Sequence, residues 1–196
     1  MTDPKNILIV ISTILVLTSP LVYIHSIING ETRPHRTTRF VLLVITLLST
    51  AALWQTKGAA FWLALASLVQ ALIVFILSIK KGMGGWSRVD IGCLIIALVG
   101  IVLWQTSGQP AIGLLASIVA DVVGMVPALI KTYKLPHTED WRFFAMDTAA
   151  GVLSTFALTS YTIYTLSYPL YIVVINAAMV ALILIPRHKI AHKPGD

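Results

Sequence analysis

Residues Ala111 to Trp141 read AIGLLASIVADVVGMVPALIKTYKLPHTEDW, and this segment is the most informative part of the sequence about the fold. It begins as an apolar helical pattern that is long enough to cross a bilayer. One acid, Asp121, lies about halfway along it, and Pro127 follows six residues later. The pattern ends in a basic segment, Lys131 to Lys134, which we expect to form a turn before Pro136. An acid in the middle of a membrane-length apolar segment costs free energy, so its position needs an explanation.

The composition places the chain in a lipid bilayer. Of its 196 residues 57% are hydrophobic and 11% are charged, and the mean hydropathy is +0.87. Soluble domains carry about 25% charged residues, so this chain has too few polar groups to cover its apolar surface. The net charge of +6 does not indicate a nucleic-acid partner, because the basic residues form short clusters between apolar segments. The single cysteine, Cys93, excludes a disulfide framework and a CxxC metal site.

Seven apolar segments have the length and composition of transmembrane helices, and only short connections separate them. They cover approximately residues 6–29, 39–55, 59–79, 89–106, 111–131, 141–160 and 166–186. No soluble domain fits between these segments. Residues 1–196 are therefore predicted to form a single all-α membrane domain with seven transmembrane helices.

The distribution of positive charge predicts the orientation of the chain. Lys5 and Lys57 are the basic residues on the side that carries the N-terminus, whereas the other 12 of the 14 Lys and Arg residues lie on the opposite side. Cytoplasmic loops are enriched in Lys and Arg, so we expect the N-terminus outside and the C-terminus in the cytoplasm.

Two parts of the sequence repeat at a spacing of about 105 residues. LSTAAL at Leu48–Leu53 recurs as LSTFAL at Leu153–Leu158, and Gln70 and Asn176 lie at corresponding places in the third and seventh segments. These matches predict two three-helix units, residues 6–79 and 111–186, with residues 89–106 as a linker helix. An odd number of linker helices makes the two units parallel, and parallel repeats occur in transporters.

A second repeat competes with this one. LWQTKG at Leu53 recurs as LWQTSG at Leu103, a shift of 50 residues that would pair the second and third helices with the fourth and fifth. We interpret it as similar interface chemistry at two outer turns, because the longer shift matches more features.

The 3+1+3 helix order, with prolines late in helices 1 and 5, resembles the SWEET sugar transporters and the wider PQ-loop superfamily. The segment PALIKTYKLPHTEDW is similar to the second PQ-loop segment of that superfamily, and the chain also looks like its uncharacterised bacterial members. The Pro-Gln pair itself is absent, because Leu21 follows Pro20 and Ala128 follows Pro127. The resemblance implies a bacterial cytoplasmic membrane and polar amides on helices 3 and 7 that face the substrate, here Gln70 and Asn176.

Two acids are candidates for chemistry within the membrane. A central Asp costs about 2.5 to 3.5 kcal/mol on the insertion scale, which cancels about half or more of what the apolar residues around Asp121 contribute. Asp121 should therefore face the bundle interior, either as a proton or solute site or as a neutral acid bonded to a neighbouring helix. Asp147 is expected to face a water-filled vestibule or to pair with Lys131 or Arg142.

The two prolines within the segments are candidate hinges. Pro20 and Pro127 each remove one backbone hydrogen bond, which leaves the carbonyls of Val16 and Val123 free and allows a bend. Membrane helices also tolerate prolines that have only a structural role. Gln70 and Asn176 likewise have an alternative, which is ordinary hydrogen bonding between helices.

No set of residues predicts an enzyme. HExxH and GxSxG are absent, and GMGG at residues 82–85 lacks the ending of a phosphate-binding loop. We therefore expect no catalytic residues, no metal site and no cofactor. The leading hypothesis is a transporter of a sugar-like or other small polar solute, working by alternating access. The alternative is a non-transporting membrane assembly or sensor protein. The partners that this sequence allows are the lipid bilayer, a small polar solute and further copies of the chain.

Overall fold

A computed structural model describes residues 3–29, 36–81 and 85–185, and these form an all-helical bundle without strands. The elements are α1 (Pro4–Ile28), α2 (Arg36–Leu53), α3 (Ala59–Lys81), α4 (Arg88–Ser107), α5 (Pro110–Lys134), a short 3-10 helix (Pro136–Thr138), α6 (Trp141–Phe156) and α7 (Ile163–Leu184). Each of the seven predicted segments corresponds to one α-helix, so the prediction of an all-α protein is confirmed.

Six of the helices are long and apolar enough to cross a membrane, which makes this an integral membrane protein. The sixth helix, α6, has 16 residues. At 1.5 Å per residue it is about 24 Å long, shorter than a hydrocarbon core of about 30 Å. The count of seven crossings and the orientation stay predictions.

Local sequence explains where the helices begin and end. At the start of α4, Ser87 and Asp90 cap each other, and Thr162 forms the same kind of capping box with Thr165 at the start of α7. The Thr162 cap starts α7 at Ile163, and α6 ends at Phe156 instead of residue 160.

The predicted basic turn after the fifth segment is wrong, because Lys131 to Lys134 form the last turn of α5. The helix ends at Lys134 since the next residue, Leu135, precedes Pro136. A residue before proline is driven out of the helical region by the proline ring.

Neighbouring helices form the following contacts. In the first three helices α3 contacts both α1 and α2, and in the last three α7 contacts both α5 and α6. The two groups meet through the pairs α1–α6, α2–α5, α3–α6 and α3–α7, while α4 contacts α2 and α5. Small residues permit close approach: a Cβ added at Gly151 of α6 would lie 2.8 Å from Val173 of α7.

Two contacts show which helix ends lie together. The Nζ of Lys5 donates to the carbonyl of Leu158 at 2.7 Å, which joins the start of α1 to the end of α6. The hydroxyl of Tyr164 donates to the carbonyl of Ala52, which joins the start of α7 to the end of α2. We call this end, which also carries Lys57, the low-charge end, and the opposite end the basic end.

A buried apolar cluster lies towards each end of the bundle. The low-charge-end cluster includes Val16, Leu53, Phe61, Leu63, Leu158 and Tyr168. The basic-end cluster contains Tyr23, Ile27, Val74, Phe143, Phe144 and Met179. A third cluster joins α2, α4 and α5 through Val41, Ile45, Leu48, Cys93, Ala97 and Ala120. The first two clusters leave a layer between them, and this layer holds the polar residues.

Candidate functional site

Three buried polar side chains from three helices form a hydrogen-bonded group, which we call the Asp147 cluster. Asp147 lies on α6, Ser19 on α1 and Gln70 on α3. The Ser19 hydroxyl donates to Oδ1 of Asp147 at 2.9 Å, and Nε2 of Gln70 donates to Oδ2 of Asp147 at 2.9 Å. Nε2 of Gln70 is also 2.7 Å from Oγ of Ser19. All three side chains are at least nine-tenths buried.

The protons in this cluster can be assigned to a closed set of bonds. The Gln70 amide has two N–H groups, of which one can point to Asp147 and the other to Ser19. The Ser19 hydroxyl then uses its single proton on Asp147. The carboxyl group of Asp147 thus accepts from two different helices, and each of the three side chains contacts the other two.

Ser19 owes its position to the helix in which it lies. Pro20 is buried within α1 and has no N–H, so the carbonyl of Val16 lacks its usual helical partner. That carbonyl lies 3.1 Å from the Ser19 hydroxyl, so it competes with Asp147 for the single hydroxyl proton. Sequence reasoning did not point to Ser19, although a hydroxyl residue directly before a proline inside a membrane helix is a usable signal.

The partners of Asp147 differ from the expected ones. Arg142, one of the two predicted cations, is exposed, and the side chain of Lys131, the other, lies outside the described residues. Ser19 and Gln70 hydrogen-bond to the carboxyl group instead.

Asp121 lies at the middle of α5, as the twelfth of its 25 residues, and is half-buried. Its carboxyl group faces the hydroxyl of Tyr171 on α7, and the positive charge of Arg39 on α2 acts on it. The geometry between Asp121 and Tyr171 falls short of a hydrogen bond, because the buried Tyr171 hydroxyl has no partner at suitable distance and angle. Asp121 therefore faces a polar group of the protein, and its role as a proton or solute site stays a prediction. Tyr171 is a residue of this region that the sequence did not indicate.

The two predicted amides have different environments. Gln70 belongs to the Asp147 cluster. Asn176 is buried on α7, and its Nδ2 donates to the carbonyl of Ile172, one turn earlier in the same helix, at 2.9 Å. Its substrate-facing role stays a prediction.

The candidate hinges lie inside continuous helices. Pro20 is within α1 and Pro127 within α5, and the side chain of Pro127 lies outside the described residues. A third intrahelical proline, Pro169, is buried in α7 near Gly151 of α6. Their role in bending stays a prediction.

The predicted site residues share one layer of the bundle. On α1, Ser19 lies between Val16 of the low-charge-end cluster and Tyr23 of the basic-end cluster. On α3, Gln70 lies in the same way between Ala66 and Val74. On α6, Asp147 lies between Phe144 of the basic-end cluster and Ala150 of the low-charge-end cluster. On α7, Asn176 lies between Tyr168 of the low-charge-end cluster and Met179 of the basic-end cluster. On α5, Asp121 lies between Ile118, which packs on the low-charge-end cluster, and Met125, which packs on the basic-end cluster. We call the layer that contains Ser19, Gln70, Asp121, Asp147 and Asn176 the polar layer.

A cavity of about 450 Å³ lies outside the polar layer, near the low-charge end, and its lining includes Trp54, Leu65 and Trp104. None of the predicted site residues lines it. Within residues 3–29, 36–81 and 85–185, no group of three or more His, Cys, Asp and Glu side chains could hold a metal ion.

Comparison with known proteins gives no match: no family model, no curated protein and no solved structure is significantly similar to this chain.

Proposed function

We propose that this protein transports a small polar solute across the membrane by alternating access between two three-helix halves, α1–α3 and α5–α7. The observation that supports this proposal best is the Asp147 cluster. It joins Ser19 and Gln70 of the first half to Asp147 of the second half, in a polar layer with an apolar cluster on each side.

The free-energy cost of such a layer supports a functional role. Ionisable residues inside a membrane are rare, and they typically lie on the pathways of substrates, ions or protons. Here two acids and two amides from four helices lie at about the same depth. Replacing buried polar groups by apolar side chains of similar volume is often neutral or stabilising, so packing alone does not require polar residues at these positions.

The helix contacts favour the division into halves. A two-fold axis between the halves would exchange α1 with α5, α2 with α6 and α3 with α7. Under this exchange the α1–α6 contact becomes the α2–α5 contact, and both contacts are present. The α3–α7 contact is unchanged by the exchange. These contacts support a pseudo-two-fold axis between the halves and the topology of SWEET-like proteins, although the α3–α6 contact has no α2–α7 counterpart of similar size.

In the proposed mechanism, the described conformation is closed on both sides. A solute reaches the polar layer when one apolar cluster separates, and it leaves when the other does. Inside the layer, solute hydroxyls donate to Asp147 and solute oxygens accept from Gln70, so the solute replaces the bonds that these side chains make to each other. Sugar-like molecules and other small polar molecules offer both kinds of group. Pro20 and Pro127 supply the bending, and Asp121 or Asp147 can carry a coupled proton.

A second candidate is a non-transporting assembly or sensor protein, and one observation favours it. The N–H and O–H donors of the Asp147 cluster are used within the cluster, and the 450 Å³ cavity does not reach them. A bundle that only holds a partner protein could keep such a cluster to fix the register of its helices.

Counterflow in proteoliposomes tests the proposal. Vesicles loaded with one of a panel of unlabelled sugars, polyols and amino acids should take up the labelled form of the transported solute. Gln70→Ala should reduce that uptake at least tenfold, whereas Gln105→Ala, at an exposed position of α4, should not change it. Uptake no faster than in protein-free vesicles for every solute would contradict transport and favour the second candidate.

A further inference from the structure

The cavity near the low-charge end has the character of a lipid site. Its lining comes from α2, the connection after α2, α3, α4 and the start of α5. It is mostly apolar, with Leu47, Ala51, Leu65, Leu68 and Pro110 as examples, and its polar members are Thr50 and Gln55. Two tryptophans, Trp54 and Trp104, also line it. Tryptophan concentrates at the level of lipid headgroups. A volume of about 450 Å³ lies within the usual range of ligand pockets, about 300 to 1,000 Å³.

Lys57, in the connection between α2 and α3, lies beside Trp54, which lines this cavity. The Nζ of Lys57 is 5.9 Å from the centroid of the Trp54 ring, in the geometry of a cation–π contact. Lys57 is also the one non-glycine residue with a positive φ, at 43°, in the described part of the chain. Residues with a Cβ avoid this conformation, and strained residues of this kind gather at binding sites.

We propose that the cavity binds an anionic phospholipid, with an acyl chain between α2, α3 and α4 and the headgroup phosphate at Lys57. The apolar lining accounts for the chain, and the charge of Lys57 accounts for the preference for an anionic headgroup. Lys5 and Lys57 are the basic residues of the low-charge end, so Lys57 is not part of a general basic surface. The proposal does not depend on transport, because the site is separate from the polar layer.

Native mass spectrometry of the full chain tests this site. The detergent-solubilised protein is mixed with phosphatidylglycerol and phosphatidylcholine that carry the same acyl chains, and the bound lipids are distinguished by mass. We expect the wild type to retain phosphatidylglycerol preferentially. Lys57→Gln should weaken its retention about fivefold, which is the effect of one basic residue near a charged surface. Lys80→Gln, at the exposed end of α3, is the matched control and should have no effect.

A second variant examines the acyl chain separately. Ala51→Phe fills the cavity from α2, so it should reduce the retention of both lipids, and circular dichroism shows whether the helices are intact. Equal retention of the two lipids by the wild type would overturn the proposal. So would a Lys57→Gln protein that still prefers phosphatidylglycerol, or the finding that a second copy of the chain covers this face.

Discussion

Removal of the Gln70 amide should destabilise the bundle, because it breaks hydrogen bonds to two other helices. Gln70→Met keeps the length of the side chain but removes both N–H donors. One donor reaches Asp147 at 2.9 Å, and a buried acceptor that loses a hydrogen-bond partner costs about 1 to 3 kcal/mol. The other reaches Ser19 at 2.7 Å, and polar bonds between membrane helices contribute about 0.6 kcal/mol on average. We therefore expect the free energy of unfolding to fall by about 2 to 4 kcal/mol.

Reversible unfolding in mixed detergent micelles, followed by circular dichroism, measures this change. Gln105→Met makes the same substitution at an exposed position of α4 and should change the free energy of unfolding by less than about 0.5 kcal/mol. The double variant Gln70→Met with Asp147→Leu should be more stable than Gln70→Met alone, because no buried carboxyl group is then left with a single partner. A loss no larger than that of the control, or a double variant that is the least stable, would refute the cluster as an inter-helix contact.

Two further predictions concern the helix interface and proton coupling. Gly151→Ala should destabilise the protein by about 1 to 3 kcal/mol, because the new Cβ lies 2.8 Å from Val173 and 3.2 Å from the carbonyl oxygen of Pro169. Gly92→Ala is its control, since a Cβ there meets no atom within 4 Å, and equal losses in thermal unfolding would argue against close α6–α7 packing. If Asp121 carries a coupled proton, solute flux should vary between about pH 5 and pH 8. Asp121→Asn should remove that variation, and the same pH profile in both proteins would exclude the coupling role.

The helices were predictable because each depends on a property of its own segment. A membrane-length apolar segment forms a helix wherever the bilayer leaves the backbone no other partner, so all seven helices appear near their predicted places. The errors in the prediction concern the first and last residues of the helices, which local capping determines. Thr162 caps the N-terminus of α7, so the helix begins at Ile163, and Pro136 ends α5 at Lys134.

The partners of the polar residues were less predictable. The cost of burying Asp147 and Asp121 shows that each needs a polar neighbour, but not which one. Asp147 bonds to Ser19, 128 residues away in sequence, because α1 and α6 pack together, and that contact is a property of the whole bundle. The same holds for Tyr171, which faces Asp121 only because α5 contacts α7.

Access to the polar layer from the two sides of the membrane tests the central proposal most directly. Asn176 suits a cysteine substitution, because its side chain bonds only to its own helix and the Asp147 cluster remains intact. In a Cys93→Ser background, Asn176→Cys is treated with a membrane-impermeant maleimide in right-side-out and in inside-out vesicles. Alternating access predicts labelling in both preparations, and protection by the transported solute in each. Labelling in neither preparation would mean that the polar layer is a permanently closed core, and the transport proposal would then be wrong.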